Sequence, residues 1–296
     1  MQGQDALTKY PIYHPSSIQY QTLVESARHQ LQTTGCASFP HFLTSAALAT
    51  AAKEAATAAT AAFVTDSRHN AFQLPDLDAQ LPNNHPRNVL MRTRVASVAY
   101  DELDRRGPLY QLYNSSVFLK FVKDVTHKEQ LYRLADPLGA CTVNVFRPGW
   151  FHAWHFDESE YTTTLCLQQS DQGGAFEFTA PLRHDQSIAA CSEAVAAVIN
   201  AHSQYASSCG GGGGGGEPPA VHTANFQPGT LQIFAGRYSF HRVAAIPTTS
   251  KKDRLVAVLC FSSEPNVVNS SSVQEMFWGR RGGVIGTGSD GQTSSL

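Results

Sequence analysis

After Gly139 apolar and polar residues alternate in short runs separated by Gly and Pro, and this switch of period constrains the fold more than any other feature. Alternation with a period of two sends successive side chains to opposite faces of a strand. Candidate strands cover Cys141 to Phe146, Trp154 to Asp157, Thr162 to Leu167, Ala175 to Phe178, Thr230 to Phe234, His241 to Ala244 and Arg254 to Phe261. Short strands at this spacing behind a helical N-terminal third predict an α+β protein, a double-stranded β-helix of jelly-roll or cupin-like form buttressed by helices.

The residues before the switch read as mostly helical. Ser16 to Gln32 carries an interrupted helical pattern, and Gly35 to Leu43 a short extended segment. Ser45 to Phe63 is Ala-rich, with Thr44 or Ser45 as a plausible cap. Thr65 to Arg87 turns polar and reads as a loop; Leu109 to Tyr113 and Val117 to Val125 read as helix. The expected division is a helical support region at 1–135, a β-helix core at 136–281 with a flexible Gly-rich insertion around 187–220, and a flexible tail at 282–296. Gly210 to Gly216 cannot offset their ordering entropy by burying area, and no Lys-Ser or Lys-Thr follows to make a phosphate loop.

Totals narrow the function classes. Lys plus Arg number 22 against 24 Asp plus Glu, a formal charge of −2, so the basic footprint of a nucleic-acid binder is missing. No apolar run approaches the roughly 20 residues that cross a bilayer, and the start lacks a leader pattern. The expectation is a soluble cytoplasmic protein. Six cysteines, several in apolar runs and none in a CxxC pair, read as reduced core thiols. The ending Ser294-Ser295-Leu296 lacks the basic central residue of a peroxisomal signal.

The chemistry concentrates in Phe151-His-Ala-Trp-His-Phe-Asp-Glu158. In an extended strand His155 and Asp157 share a face, while Trp154 and Phe156 take the other. His241 is the third candidate, at the start of a later β-like run. Two His and one carboxylate leave coordination positions open at a non-haem Fe(II), whereas a closed zinc site would want a fourth ligand. A His-x-Asp alone is more often structural, but thirteen residues beyond His241 stands Arg254, opening the apolar run Leu255 to Phe261. Its planar fork suits a carboxylate held bidentately, such as that of 2-oxoglutarate.

These segments, with Tyr161-Thr-Thr-Thr164, Gly173-Gly-Ala-Phe-Glu177, Pro228-Gly-Thr-Leu-Gln-Ile-Phe234, Gly236-Arg-Tyr-Ser-Phe-His-Arg-Val243 and Phe261-Ser-Ser-Glu-Pro265, resemble the Fe(II)/2-oxoglutarate-dependent oxygenases. Within them they look most like the branch of free-amino-acid halogenases of the lysine-chlorinating type and their hydroxylating relatives, over roughly Ala135 to Gly279. The resemblance implies a double-stranded β-helix with Fe(II) on His155, Asp157 and His241, 2-oxoglutarate on Arg254, and O₂ as oxidant. Halogenases of that branch replace the carboxylate ligand by a small residue; Asp157 is kept here, which implies hydroxylation. A hydroxyl two residues after the arginine is the common partner of the co-substrate, but Val256 stands there. A Thr from Thr162 to Thr164, with Thr164 taken as the candidate, or Tyr161, is expected to supply that bond.

Substrate contacts are expected from His152 and Glu158 flanking the ligand pair, from Asp136 and Trp278 by the resemblance, and from Arg92 and Arg94 if their segment is extended. Arg237 and Arg242 are candidate neighbours of His241. Val256, Val258 and Cys260 share the face of Arg254, an apolar wall that suits a doubly charged lysine poorly. The expected activity is therefore hydroxylation of an unactivated C–H bond in a small molecule, a free amino acid or related metabolite. The alternatives are hydroxylation of protein side chains of the prolyl type, and a non-catalytic β-helix that binds or senses.

Overall fold

The computed structural model describes residues 7–183, 189–202 and 218–282, so the glycine run and the chain end lie outside the described residues. In chain order the elements are α1 (Ile18–Thr34), β1 (Cys36–Phe39), α2 (Ser45–Ala58), β2 (Phe63–His69), β3 (Met91–Val98), α3 (Pro108–Asn114), α4 (Ser116–Thr126), β4 (Tyr132–Arg133), β5 (Cys141–Phe146), β6 (His152–His155), β7 (Tyr161–Gln168), β8 (Phe176–Pro181), α5 (Ser192–His202), β9 (Val221–Thr223), β10 (Leu231–Phe234), β11 (Ser239–Val243), β12 (Arg254–Ser262) and α6 (Ser271–Trp278).

The strands form two sheets. The larger runs β1-β10-β7-β12-β5-β3-β2, with β4 on the end of β12; the smaller runs β6-β11-β8-β9. Every pairing is antiparallel. This is the expected double-stranded β-helix, two sheets facing each other across an interior that can hold a ligand.

Strand parity decides which side chains line that interior. On the larger sheet Leu165, Leu167, Leu231, Ile233, Leu255, Leu259 and Phe261 point away from the smaller sheet, into a core shared with Tyr20, Val24 and Leu31 of α1 and Phe118, Phe121 and Val125 of α4. Those helix residues recur at helical spacing, so each helix buries one stripe. The helix ends are fixed locally: Ser17 and Thr44 accept from Tyr20 N and Ala47 N, and Gly35 closes α1 in the left-handed region at φ 82°. The opposite parity gives the interior face: Thr162, Thr164 and Cys166 of β7, Asn144 and Phe146 of β5, and Arg254, Val256, Val258 and Cys260 of β12.

The N-terminal third, expected to be mostly helical with an extended segment from Gly35 to Leu43, carries strands as well as helices. It contributes β1, β2 and β3 to the larger sheet, and β2 occupies residues expected to be loop. Its buried positions are Thr65 and His69, while Phe63 and Val64 are exposed, so the usual apolar alternation is inverted. Among the described residues no helix is long and apolar enough to cross a membrane.

Candidate metal centre and carboxylate pocket

His155 on β6 and His241 on β11 are direct partners across an antiparallel pair, and both are buried. Asp157 follows β6 by two residues, its peptide N–H donating to Gly236 O at 3.0 Å. Its Oδ1 lies 3.4 Å from both His155 Nε2 and His241 Nε2. The three ligand atoms all fall within 4.8 Å of one another, the span of a single metal ion's donors. As strand parity required, Trp154 and Phe156 pack instead against Phe240 on the other face.

The hydrogen bonds fix which atoms face inward. Each imidazole donates from Nδ1 to the carbonyl two residues earlier, His155 to Ala153 O at 2.8 Å and His241 to Ser239 O at 3.0 Å. Both Nε2 atoms are thus left as lone pairs aimed at Asp157. Burial holds the His155 pKa below its usual value, with His241 adding to the effect, which keeps the ring neutral and able to ligate. Burial alone would raise the Asp157 carboxyl, but imidazolium at His241 and His155, donating from Nε2, would outweigh it and hold it well below the usual carboxylate range. Thr162 Oγ1 donates to Asp157 Oδ2 at 2.6 Å, occupying the oxygen that does not face the histidines. Gly236 completes the fit: a Cβ there would collide with Asp157 Oδ2 and meet Thr162 Oγ1 at 2.8 Å. Two imidazoles and one anchored carboxylate oxygen suit a divalent iron with open positions.

Arg254 stands at the head of β12, 4% exposed. Its guanidinium packs between the rings of Phe146 and Phe226, at 5.4 and 5.5 Å, with no carboxylate in ion-pair range among the described residues. Burial pushes its pKa down to about 10. A cavity of about 170 Å³ opens beside it, lined by Ser170, Gly174, Phe176, Asn225 and Phe226 among others. Thr164 Oγ1, on the same interior face, is buried without a hydrogen-bond partner. A buried cation beside an open cavity is a setting that a carboxylate would satisfy; Thr164 pairs with Val258 farther along β12 and does not line that cavity. A larger groove of about 640 Å³, bounded by Tyr110, Leu119 and Arg133, lies elsewhere and contains none of these residues.

The expected substrate contacts divide. His152 reaches the interior because of a β-bulge. The three-residue step from His152 to His155 opposes the two-residue step from Val243 to His241, so both rings face inward and stack at 3.8 Å. Its Nε2 is buried without a partner, as is Nε1 of Trp278 on α6; Phe277 lies 5.5 Å from the His152 ring. The other four are engaged elsewhere. Arg92 and Arg94 take the parity opposite to Thr93 and Val95 and pair with Asp66, Arg94 also lying 4.9 Å over the Trp150 ring. Asp136 accepts from the peptides of Leu138, Gly139 and Asn269, and Glu158 accepts from Ser270 N and Oγ at the start of α6. Arg237 holds Glu158 O, and Arg242 pairs with Glu177 at 2.6 Å.

No family model matches the sequence, and no curated protein matches it. Solved structures match it in fold. The non-haem alpha-ketoglutarate-dependent epimerase SnoN from nogalamycin biosynthesis aligns with a TM-score of 0.58 at 13% identity, over 91% of this chain and 92% of that one. SnoN in complex with Fe3+, alpha-ketoglutarate and nogalamycin RO aligns at 0.51 and 12% identity, over 82% of this chain and 84% of that one. AviO1 from Streptomyces viridochromogenes Tue57 aligns at 0.51 and 14% identity, over 81% and 95%.

Proposed function

We propose that the protein is an Fe(II)- and 2-oxoglutarate-dependent dioxygenase that hydroxylates an unactivated C–H bond of a small molecule. The observation that carries this reading is the pairing of a His-Asp-His cluster, its Nε2 atoms freed by backbone hydrogen bonds, with a buried Arg254 that lacks a carboxylate. The fold shared with SnoN supports it.

His155 and His241 would present Nε2, and Asp157 Oδ1, to the iron. Arg254 would hold the distal carboxylate of 2-oxoglutarate through its fork. Bound iron, with 2-oxoglutarate and O₂, supplies the oxidising chemistry, and succinate and CO₂ are the co-products. The chain's own residues position one C–H bond and exclude water. Val256, Val258 and Phe146 make the interior wall apolar, while α6 sets Phe277 beside His152. His152 Nε2 and Trp278 Nε1 would bind polar groups of the substrate.

A free amino acid or related metabolite is the substrate class proposed, with lysine disfavoured by that apolar wall. Retention of Asp157 leaves no place for a halide in its stead and favours hydroxylation over chlorination. Anaerobic titration of the metal-free protein with Fe(II) and 2-oxoglutarate tests the reading. A visible charge-transfer band, lost or altered in Asp157→Ala, is expected and would justify screening amino acids for stimulated succinate release. Absence of both the band and Fe(II) uptake would leave a binding scaffold instead.

A further inference from the structure

Beside the metal centre lies a hydrogen-bonded chain that originates in the N-terminal strands. His69 closes β2 and is fully buried; Thr93 sits on β3 with the interior parity. Thr93 Oγ1 accepts from Ala153 N at 3.0 Å and lies 2.6 Å from His69 Nε2. Ala153 is the bulge residue between the two inward histidines, and its carbonyl takes the Nδ1 proton of His155 at 2.8 Å. His69 Nδ1 lies 2.9 Å from Asn70 O.

These contacts admit one arrangement of protons. A carbonyl only accepts, so His69 carries its proton on Nδ1 and donates it to Asn70 O. In the neutral ring Nε2 is then a lone pair. The Thr93 hydroxyl therefore donates to His69, leaving its oxygen to accept from Ala153. The loop behind His69 is itself anchored. Asn70 Oδ1 accepts from Phe72 N and Leu74 N, and Ala71 O accepts from Phe156 N at 2.9 Å. Both flanks of the ligand strand are thus tied to β2, β3 and their connection.

We propose that His69 and Thr93 are positioning residues for the metal centre: they hold the Ala153 peptide in the bulge of β6, and that peptide sets the ring orientation and tautomer of His155. The inference rests on the His155-Asp157-His241 cluster being the iron site. Neither residue is among the proposed ligands; the His69 ring lies edge-on to His155 at 6.2 Å and to His152 at 5.7 Å.

The test compares Co(II) binding and the Co(II) ligand-field spectrum in wild type, Thr93→Val, Thr93→Ser and His69→Phe, beside ¹⁵N-histidine NMR of the metal-free wild type. Thr93→Val keeps the branched shape and deletes the hydroxyl. Loss of about 10-fold or more in Co(II) affinity with an altered spectrum is expected, by analogy with other outer partners of ligating histidines. Thr93→Ser should restore both, and His69→Phe should fall between. Wild-type affinity and spectrum in Thr93→Val would overturn the proposal. So would NMR assignment of the His69 proton to Nε2, a readout that needs no variant to fold. If wild type takes up no Co(II), the metal-centre reading itself fails and this proposal goes with it. A defect confined to the variants leaves that reading standing.

Discussion

Replacing Arg254 by Met should leave the unliganded protein about as stable as wild type while abolishing its response to 2-oxoglutarate. Burial lowers the guanidinium pKa from 12.5 to about 10. At roughly 1.4 kcal/mol per pKa step, the charged form is held in the fold at a cost of about 3 kcal/mol. No acid among the described residues offsets it; compensation comes from the faces of Phe146 and Phe226, worth roughly 0.5 to 2 kcal/mol each. Methionine keeps the apolar stem and removes the charge, so the expected net change lies between a loss of about 1 kcal/mol and a gain of about 2 kcal/mol. For a chain of 296 residues that corresponds to a change in Tm within about 3 °C. Wild type saturated with 2-oxoglutarate under anaerobic Fe(II) should gain about 2.7 kcal/mol at 100-fold excess over Kd, and the variant none. Thermal melts of both proteins with and without the co-substrate measure each quantity. A variant that melts several degrees below wild type before any ligand is added, or that is stabilised by 2-oxoglutarate as wild type is, would refute the reasoning.

Gly236→Ala should cost metal binding more than stability, because the added methyl collides with Asp157 Oδ2 while the backbone φ there is ordinary; isothermal titration with Co(II) against Tm separates the two. Thr162→Val releases Asp157 Oδ2 and should weaken Co(II) binding about 10-fold, read by the same titration. Glu160 is buried, and although burial would raise its pKa, Lys128 and Ser263 bring it down to about 2 from 4.5. Its contribution, of the order of 3 kcal/mol, is present above pH 4.5 and is lost as pH falls towards 2. Glu160→Gln should therefore lower the urea midpoint at neutral pH and flatten that acid limb.

The sequence made the interior legible where parity is regular. His155, Asp157, His241 and Arg254 are brought to one interior, and Trp154 and Phe156 to the opposite face, because β6, β11 and β12 alternate as strands must. What escaped it depended on partners distant in the chain or on broken parity. His152 is offered by the sequence as a neighbour of the ligand pair, but its inward turn is not legible there: three residues from His155 it would face away in a regular strand, and a bulge is not written in local composition. β2 was hidden because its inward residues are Thr65, Ser67 and His69, polar groups matched to β3 and α6 rather than to an apolar core. Arg92 and Arg94 sat in a segment correctly suspected of being extended, but the odd positions around them are the ones that turn inward. Gly236 and Thr162 belong to the site through an approach to Asp157 that no spacing rule announces.

The two carbonyls that take the imidazole protons belong to Ala153 and Ser239, each two positions before its histidine. Orientation of the ligands is thereby encoded in main chain, and the side chains at those positions have no part in it. Positions 153 and 239 can therefore change side chain without disturbing the ligands so long as the two short strands keep their pairing, whereas Thr93, Thr162 and Gly236 remain constrained. That is a physical route by which a fold can be held in common at 13% identity while no family model matches the sequence.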